Sequence, residues 1–156
     1  MRRAAYIPKA LLGVLLLGSV AATDDLAKLR QKLARETDPA DRAKITVKIG
    51  REMLKQIAKI YKEGAYTDAE QLLGEYREAV RAAHRDLAQS GRDARRKPKG
   101  FKDLEIHLRK SERKLEDVTR GLPYDVRAPV EEAVAEMEAI RLKLLRALMT
   151  GKEQQP

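Results

Sequence analysis

Residues 38–87 read DPADRAKITVKIGREMLKQIAKIYKEGAYTDAEQLLGEYREAVRAAHRDL, and this stretch decides the fold. Ala43, Val47, Gly50, Leu54, Ile57 and Tyr61 recur at steps of 4, 3, 4, 3 and 4, the spacing that gathers side chains on one face of an α-helix. Ile45, Ile49, Met53 and Ile60 widen that stripe. Beyond Gly64 the rhythm returns at Ala69, Leu73, Tyr76, Val80, Ala83 and Leu87. Thr37-Asp38-Pro39 offers a capping side chain followed by proline at the first helical position, and Gly64 suits a helix end. Two long helices, 39–63 and 67–90, are therefore predicted.

The same pattern extends outward. Phe101, Leu104, Leu108, Ser111, Leu115 and Val118 define a helix over 101–120, which Gly121-Leu122-Pro123 ends. Val126, Val130, Ala133, Met137, Ile140, Leu144 and Ala147 define another over 125–150, with Pro129 tolerated in its first turn. A short helix over 24–36 carries Leu26, Leu29 and Leu33, with Thr23 available as its cap. Strand alternation is nearly missing. The expected fold is all-α, an antiparallel bundle of four long helices plus the short N-terminal one, each long helix about 30–39 Å in length. A pair of long hairpins that packs on a second copy is the competing architecture.

The chain has 156 residues, 33 Lys plus Arg against 24 Asp plus Glu, and a net charge of +9. With no cysteine it cannot be a disulfide scaffold, a thiol enzyme, a Cys-ligated zinc module, a c-type haem protein or a Cys-anchored lipoprotein. Arg2, Arg3 and Lys9 precede the uncharged run Ala10–Ala22, which ends in small residues. Residues 1–22 thus read as a secretory signal peptide cleaved before Thr23, since the 13-residue run is shorter than the about 20 residues of a membrane span. Retention as an anchor is the alternative. The bundle domain would be 23–151, with net charge +6 once Arg2, Arg3 and Lys9 are removed, and 152–156 a disordered tail. The expected location is periplasmic or extracellular, with no transmembrane span in the mature chain.

Gly64-Ala65-Tyr66-Thr67-Asp68-Ala69 resembles the G-x-Y-x-x-A turn of a tetratricopeptide hairpin, in which Gly64 would permit the turn while Tyr66 and Ala69 pack between two helices. The resemblance is local. That family repeats every about 34 residues, and the same interval past Gly64 falls on Pro98. More broadly, 38–87 looks like helical segments of uncharacterised secreted bacterial proteins, over about a third of the chain. This resemblance implies a non-catalytic exported helical domain and carries over no catalytic residue.

Asp103, His107 and Ser111 fall at successive four-residue steps, the nearest approach to a catalytic triad. A mid-helix serine has its neighbouring N–H groups spent on the helix, so no oxyanion site is expected, and Ser111 on the apolar seam should bond its own i−4 carbonyl. Neither His84 nor His107 has a glutamate three residues before it, the pairing that di-metal bundles use. Glu131, Glu132, Glu136 and Glu138 read as charges complementing a helix start rather than as a cation site. No catalytic, cofactor or metal site is expected, and no nucleotide cradle or sequence-specific nucleic-acid readout.

One run exceeds this background. Arg92, Arg95, Arg96, Lys97, Lys99 and Lys102 put six positive charges into 11 residues, opposed only by Asp93. A flexible cationic loop attracts anionic lipid, cell-wall polymer or extracellular nucleic acid. The bland reading is a solvated linker that its own charge keeps extended. The leading expectation for function is a protein-interaction or envelope accessory module of unknown partner, self-association included. Electrostatic binding of envelope polyanions or an anionic membrane surface through 92–102 is the alternative. A small periplasmic chaperone also fits size and basicity, without the L-T-x-x-Q pattern of the best-known such family. Ile106, Val134 and Leu142 would support an interface if the fold made them contiguous.

Overall fold

The computed structural model describes residues 20–151, so the predicted signal segment up to residue 19 and the tail 152–156 lie outside the described residues. Five α-helices run in the order α1 (Val20–Arg35), α2 (Pro39–Lys62), α3 (Tyr66–Gln89), α4 (Phe101–Arg120) and α5 (Ala128–Thr150), with one 3-10 turn at Tyr124–Val126 before α5. The described chain is all-helical.

Every residue of the predicted α3 stripe is buried, from Ala69 to Leu87, and so is the α5 stripe from Val130 to Ala147. Along α2 the stripe from Ala43 to Tyr61 is buried together with Ile45, Ile49 and Met53. That wider face has a cause: α2 alone packs against α1, α3 and α4. The core is a single cluster of aliphatic and alanine side chains, with Tyr61, Tyr76 and Phe101 as its buried aromatics.

Two boundaries differ from expectation. The short helix starts at Val20, not residue 24, so Thr23 lies within α1 and does not cap it; Val20-Ala21-Ala22 extends the helix across the predicted cleavage point without a break. The last helix starts at Ala128 rather than residue 125. Pro129 explains the delay, because its ring would collide with the carbonyl of Asp125 if that residue were helical. The intervening 3-10 turn is held by Arg127, whose Nε donates to the Leu122 carbonyl at 2.9 Å.

The helices pair most extensively as two hairpins, α2 with α3 and α4 with α5. Each hairpin is antiparallel. The two hairpins, however, stack in the same sense. Gly100 at the start of α4 abuts Ala40 in the first turn of α2, His107 faces Gly50 halfway along, and Val118 and Leu122 share a cleft with Tyr61 and Lys62 at the far end. Helices α2 and α4 therefore run parallel, as do α3 and α5, and α3 barely touches α4. In a simple up-down-up-down bundle all neighbours would be antiparallel. Here the connection from α3 to α4 must instead cross one end of the molecule diagonally.

Helix α1 folds back along α2, its Leu26 buried and Leu29 and Leu33 half-buried against the core. Arg42 fastens it: one guanidinium nitrogen donates to the carbonyls of Leu33 and Glu36 at 3.0 Å each, while its Nε meets Asp86 of α3 at 2.8 Å.

Candidate functional site

The cationic run 92–102 is the diagonal crossover together with the first turn of α4, and it is folded into turns rather than extended. Asp93 starts it as a local cap, accepting the backbone N–H groups of Arg95 at 2.9 Å and Arg96 at 3.2 Å, while the Lys97 N–H closes a turn on the Asp93 carbonyl at 2.8 Å. Ala94 is fully buried, and its N–H donates to the Gly151 carbonyl at the end of α5 at 3.0 Å. Two of the six cations are committed to structure. Arg92 pairs with Asp38, the residue that caps α2 by accepting from the N–H groups of Ala40 and Asp41. Lys99 pairs with Asp41 at 2.8 Å, which raises its pKa. The Asp41 N–H first, then Arg92 and lastly the Ala40 N–H hold the Asp38 carboxyl below its usual range.

The remaining cations face solvent. Arg95, Arg96, Lys97 and Lys102 are all exposed, and among the described residues only Arg96 of these four has a carboxylate within reach, Asp93 at 3.7 Å. The crossover thus divides its charges into an anchoring pair and a projecting group.

The predicted hairpin residues lie at the opposite end. The Ala65 N–H bonds the Ile60 carbonyl at 3.2 Å and the Gly64 N–H bonds that of Tyr61 at 3.1 Å, a Schellman turn with Gly64 at φ +80°. Ala69 is buried and Tyr66 half-buried, its ring 6.3 Å from that of Tyr61. Tyr61 itself carries an anomaly: its hydroxyl is buried without a hydrogen-bond partner among the described residues, and burial pushes its pKa up to about 12.

The triad-like residues divide. His107 and Ser111 are 3% and 1% exposed, and their common partner is Tyr76 of α3 rather than Asp103. The Tyr76 hydroxyl donates to Ser111 Oγ at 2.8 Å, and Ser111 Oγ donates to the His107 carbonyl at 2.8 Å, the back-bond that its seam position predicts. His107 Nε2, 3.1 Å from the Tyr76 oxygen, then carries the hydrogen and donates to it. In this circuit the Ser111 hydroxyl hydrogen points to the His107 carbonyl at 2.8 Å, while His107 Nε2 lies farther off, at 3.4 Å. Burial, reinforced by Arg51, lowers the His107 pKa to about 4, so the imidazole is neutral at neutral pH. The circuit needs Gly50, because a Cβ there would lie 2.7 Å from His107 Nε2.

Among the described residues, no group of three or more His, Asp or Glu side chains could hold a metal ion. Of the acidic group on α5, Glu136 does more than complement a helix start. It bridges Arg77 and Arg81 of α3; burial raises its pKa, but the two guanidiniums outweigh this and hold it below the usual range. Likewise Arg141 meets Glu112 at 2.8 Å, joining α5 to α4.

Two features escaped sequence reasoning. Tyr76 reads as one more core residue, and only the alignment of α3 with α4 makes its hydroxyl the hub of the polar circuit. Met149, 76% exposed, lies outside the core stripe, as does Leu142 at 43%. Val134 packs against the core and Ile106 is half-buried, so the exposed apolar surface falls elsewhere than on those two. No helix among the described residues is long and apolar enough to cross a membrane.

Comparison with protein families, with curated proteins and with solved structures finds no match to the chain.

Proposed function

We propose that the chain is an exported, non-catalytic helical module that binds anionic partners in the cell envelope through its crossover end. One observation carries this reading: Arg95, Arg96 and Lys97 project from a loop whose backbone is fixed by the Arg92–Asp38 and Lys99–Asp41 pairs and the Ala94–Gly151 hydrogen bond. A preorganised cationic array loses less entropy on binding than a flexible one. Near an anionic surface each basic side chain contributes about 1 kcal/mol, which salt screens. Retention of the mature chain on immobilised polyphosphate across a salt gradient tests it. The triple variant R95Q/R96Q/K97Q should elute at markedly lower salt while keeping its unfolding midpoint; unchanged elution would refute the reading.

A protein partner is the second reading, favoured by the same-sense stacking of the hairpins. Helix-pair repeat proteins stack their units and build extended binding surfaces in this way, and the Gly64–Ala69 turn resembles one of theirs. Affinity capture from envelope extract at low and high salt separates the two. A defined protein retained at high salt supports this reading, and anionic material released by salt supports the first.

A further inference from the structure

Helix α5 carries two apolar stripes. The inner one, Val130 to Ala147, is in the core. A second, outer one consists of Leu142, Leu145 and Met149, at steps of 3 and 4, hence along one line of the helix. Leu145 is half-buried, Leu142 is 43% exposed and Met149 76% exposed. No such stripe is required to complete the bundle.

Its position is the informative part. The stripe ends two residues before Gly151, whose carbonyl holds the Ala94 N–H, so Met149 lies at the same end of the molecule as Arg95, Arg96 and Lys97. Lys143 and Arg146 of α5 are exposed within the same turns, and among the described residues no carboxylate pairs with Arg95, Lys97, Lys143 or Arg146. Met149 therefore stands beside cations unpaired among the described residues, while Leu142, one turn past the exposed Glu138, carries the stripe towards the middle of α5.

We propose that the crossover end is a peripheral docking surface for an anionic phospholipid bilayer, with Met149 and Leu142 seating at the headgroup–acyl boundary while Arg95, Arg96 and Lys97 meet the lipid phosphates. The charge of the surface selects an anionic partner. A bilayer suits it because Met149 is 76% exposed in the last turn of α5, and a deformable lipid surface accepts a single protruding side chain. Stable membrane attachment generally takes two signals, a modest apolar insertion and a basic patch, and both are present here. The inference rests on the anionic-partner reading above and adds the apolar contact to it.

The test uses vesicles of phosphatidylglycerol and phosphatidylcholine against pure phosphatidylcholine, with polyphosphate as the lipid-free polyanion. The chain has no tryptophan, so Met149→Trp gives a single emission reporter. Its emission should shift to the blue on anionic vesicles and stay unchanged on neutral ones. Met149→Asp should weaken anionic-vesicle binding about tenfold, the scale of losing one buried side chain, and leave polyphosphate retention as in the parent. R95Q/R96Q/K97Q should lose both. Parent-like vesicle affinity in both Met149→Asp and Leu142→Asp overturns the insertion while the anionic-partner reading stands. Loss of neither ligand in the triple variant overturns both. A blue shift that appears with rising protein concentration, without vesicles, would mean that a second copy covers the stripe and would also overturn the proposal.

Discussion

The two ends of the bundle solve the same problem by different means. At one end, α2 turns into α3 through Gly64, at φ +80°, with nothing within 4 Å of where a Cβ would stand. At the other, α4 begins at Gly100, at φ +84°, where a Cβ would lie 2.7 Å from the Ala40 Cα and 2.9 Å from a Leu87 methyl. The φ angles nearly coincide. One glycine serves only its own turn, whereas the other also lets the start of α4 lie directly against α2. The turn end is thus local in origin, and the crossover end is where tertiary structure is made.

Substitution at the two glycines gives the sharpest measure of that difference. Gly100→Ala incurs both the penalty of a positive φ and a collision with backbone, and should cost about 3–4 kcal/mol, seen as a lower urea midpoint. Next comes the centre of the molecule, where His107 makes stability depend on pH. The unfolded imidazole takes a proton near its ordinary 6.5 and the folded one only near 4. Between those values the unfolded state binds more protons, so stability is fully present above 6.5 and declines as the pH falls towards 4. The decline should amount to about 3 kcal/mol, and His107→Gln should flatten it in urea melts at successive pH values. Gly64→Ala should cost only about 1 kcal/mol, because strain is its whole penalty. An equal loss at Gly64 and Gly100 would erase the contrast between the ends.

The smallest expected effect has the opposite sign. Tyr61→Phe removes a buried hydroxyl that has no partner while keeping the ring against Tyr66. A gain of up to about 1 kcal/mol in thermal or urea unfolding should follow. A loss would show that the hydroxyl is satisfied in solution.

Much of the fold was legible because burial follows helical phase. Most residues assigned to the stripes are enclosed by the core, including the small ones, Gly50, Ala83 and Ala133, and Leu29, Leu33, Ile60, Val118 and Val126 pack at its margin. What sequence could not supply was the relation between hairpins. Periodicity is silent on whether α2 and α4 run parallel, and without that neither the diagonal path of 91–100 nor the meeting of Tyr76 with His107 and Ser111 could be deduced. The cations of the crossover were legible as a group, but not their division, since Arg92 and Lys99 are set apart only by Asp38 and Asp41, more than fifty positions earlier. Met149 was hidden by the low amphipathic contrast of α5, whose second apolar stripe blurs the first.

The same-sense stacking also fixes how partial charge is distributed over the molecule. In an alternating bundle, the positive and negative helix ends occupy opposite corners, like the squares of a checkerboard, and their fields largely cancel. Here both positive ends at the crossover belong to neighbours, α2 and α4, and both negative ends to α3 and α5, so each face is split into two like-signed halves. Asp38, Asp41 and Asp103 stand at the positive half of the crossover face, while Lys62, Lys114 and Arg120 stand near the negative half of the opposite one. The fold therefore has a lateral polarity that its net charge does not reveal.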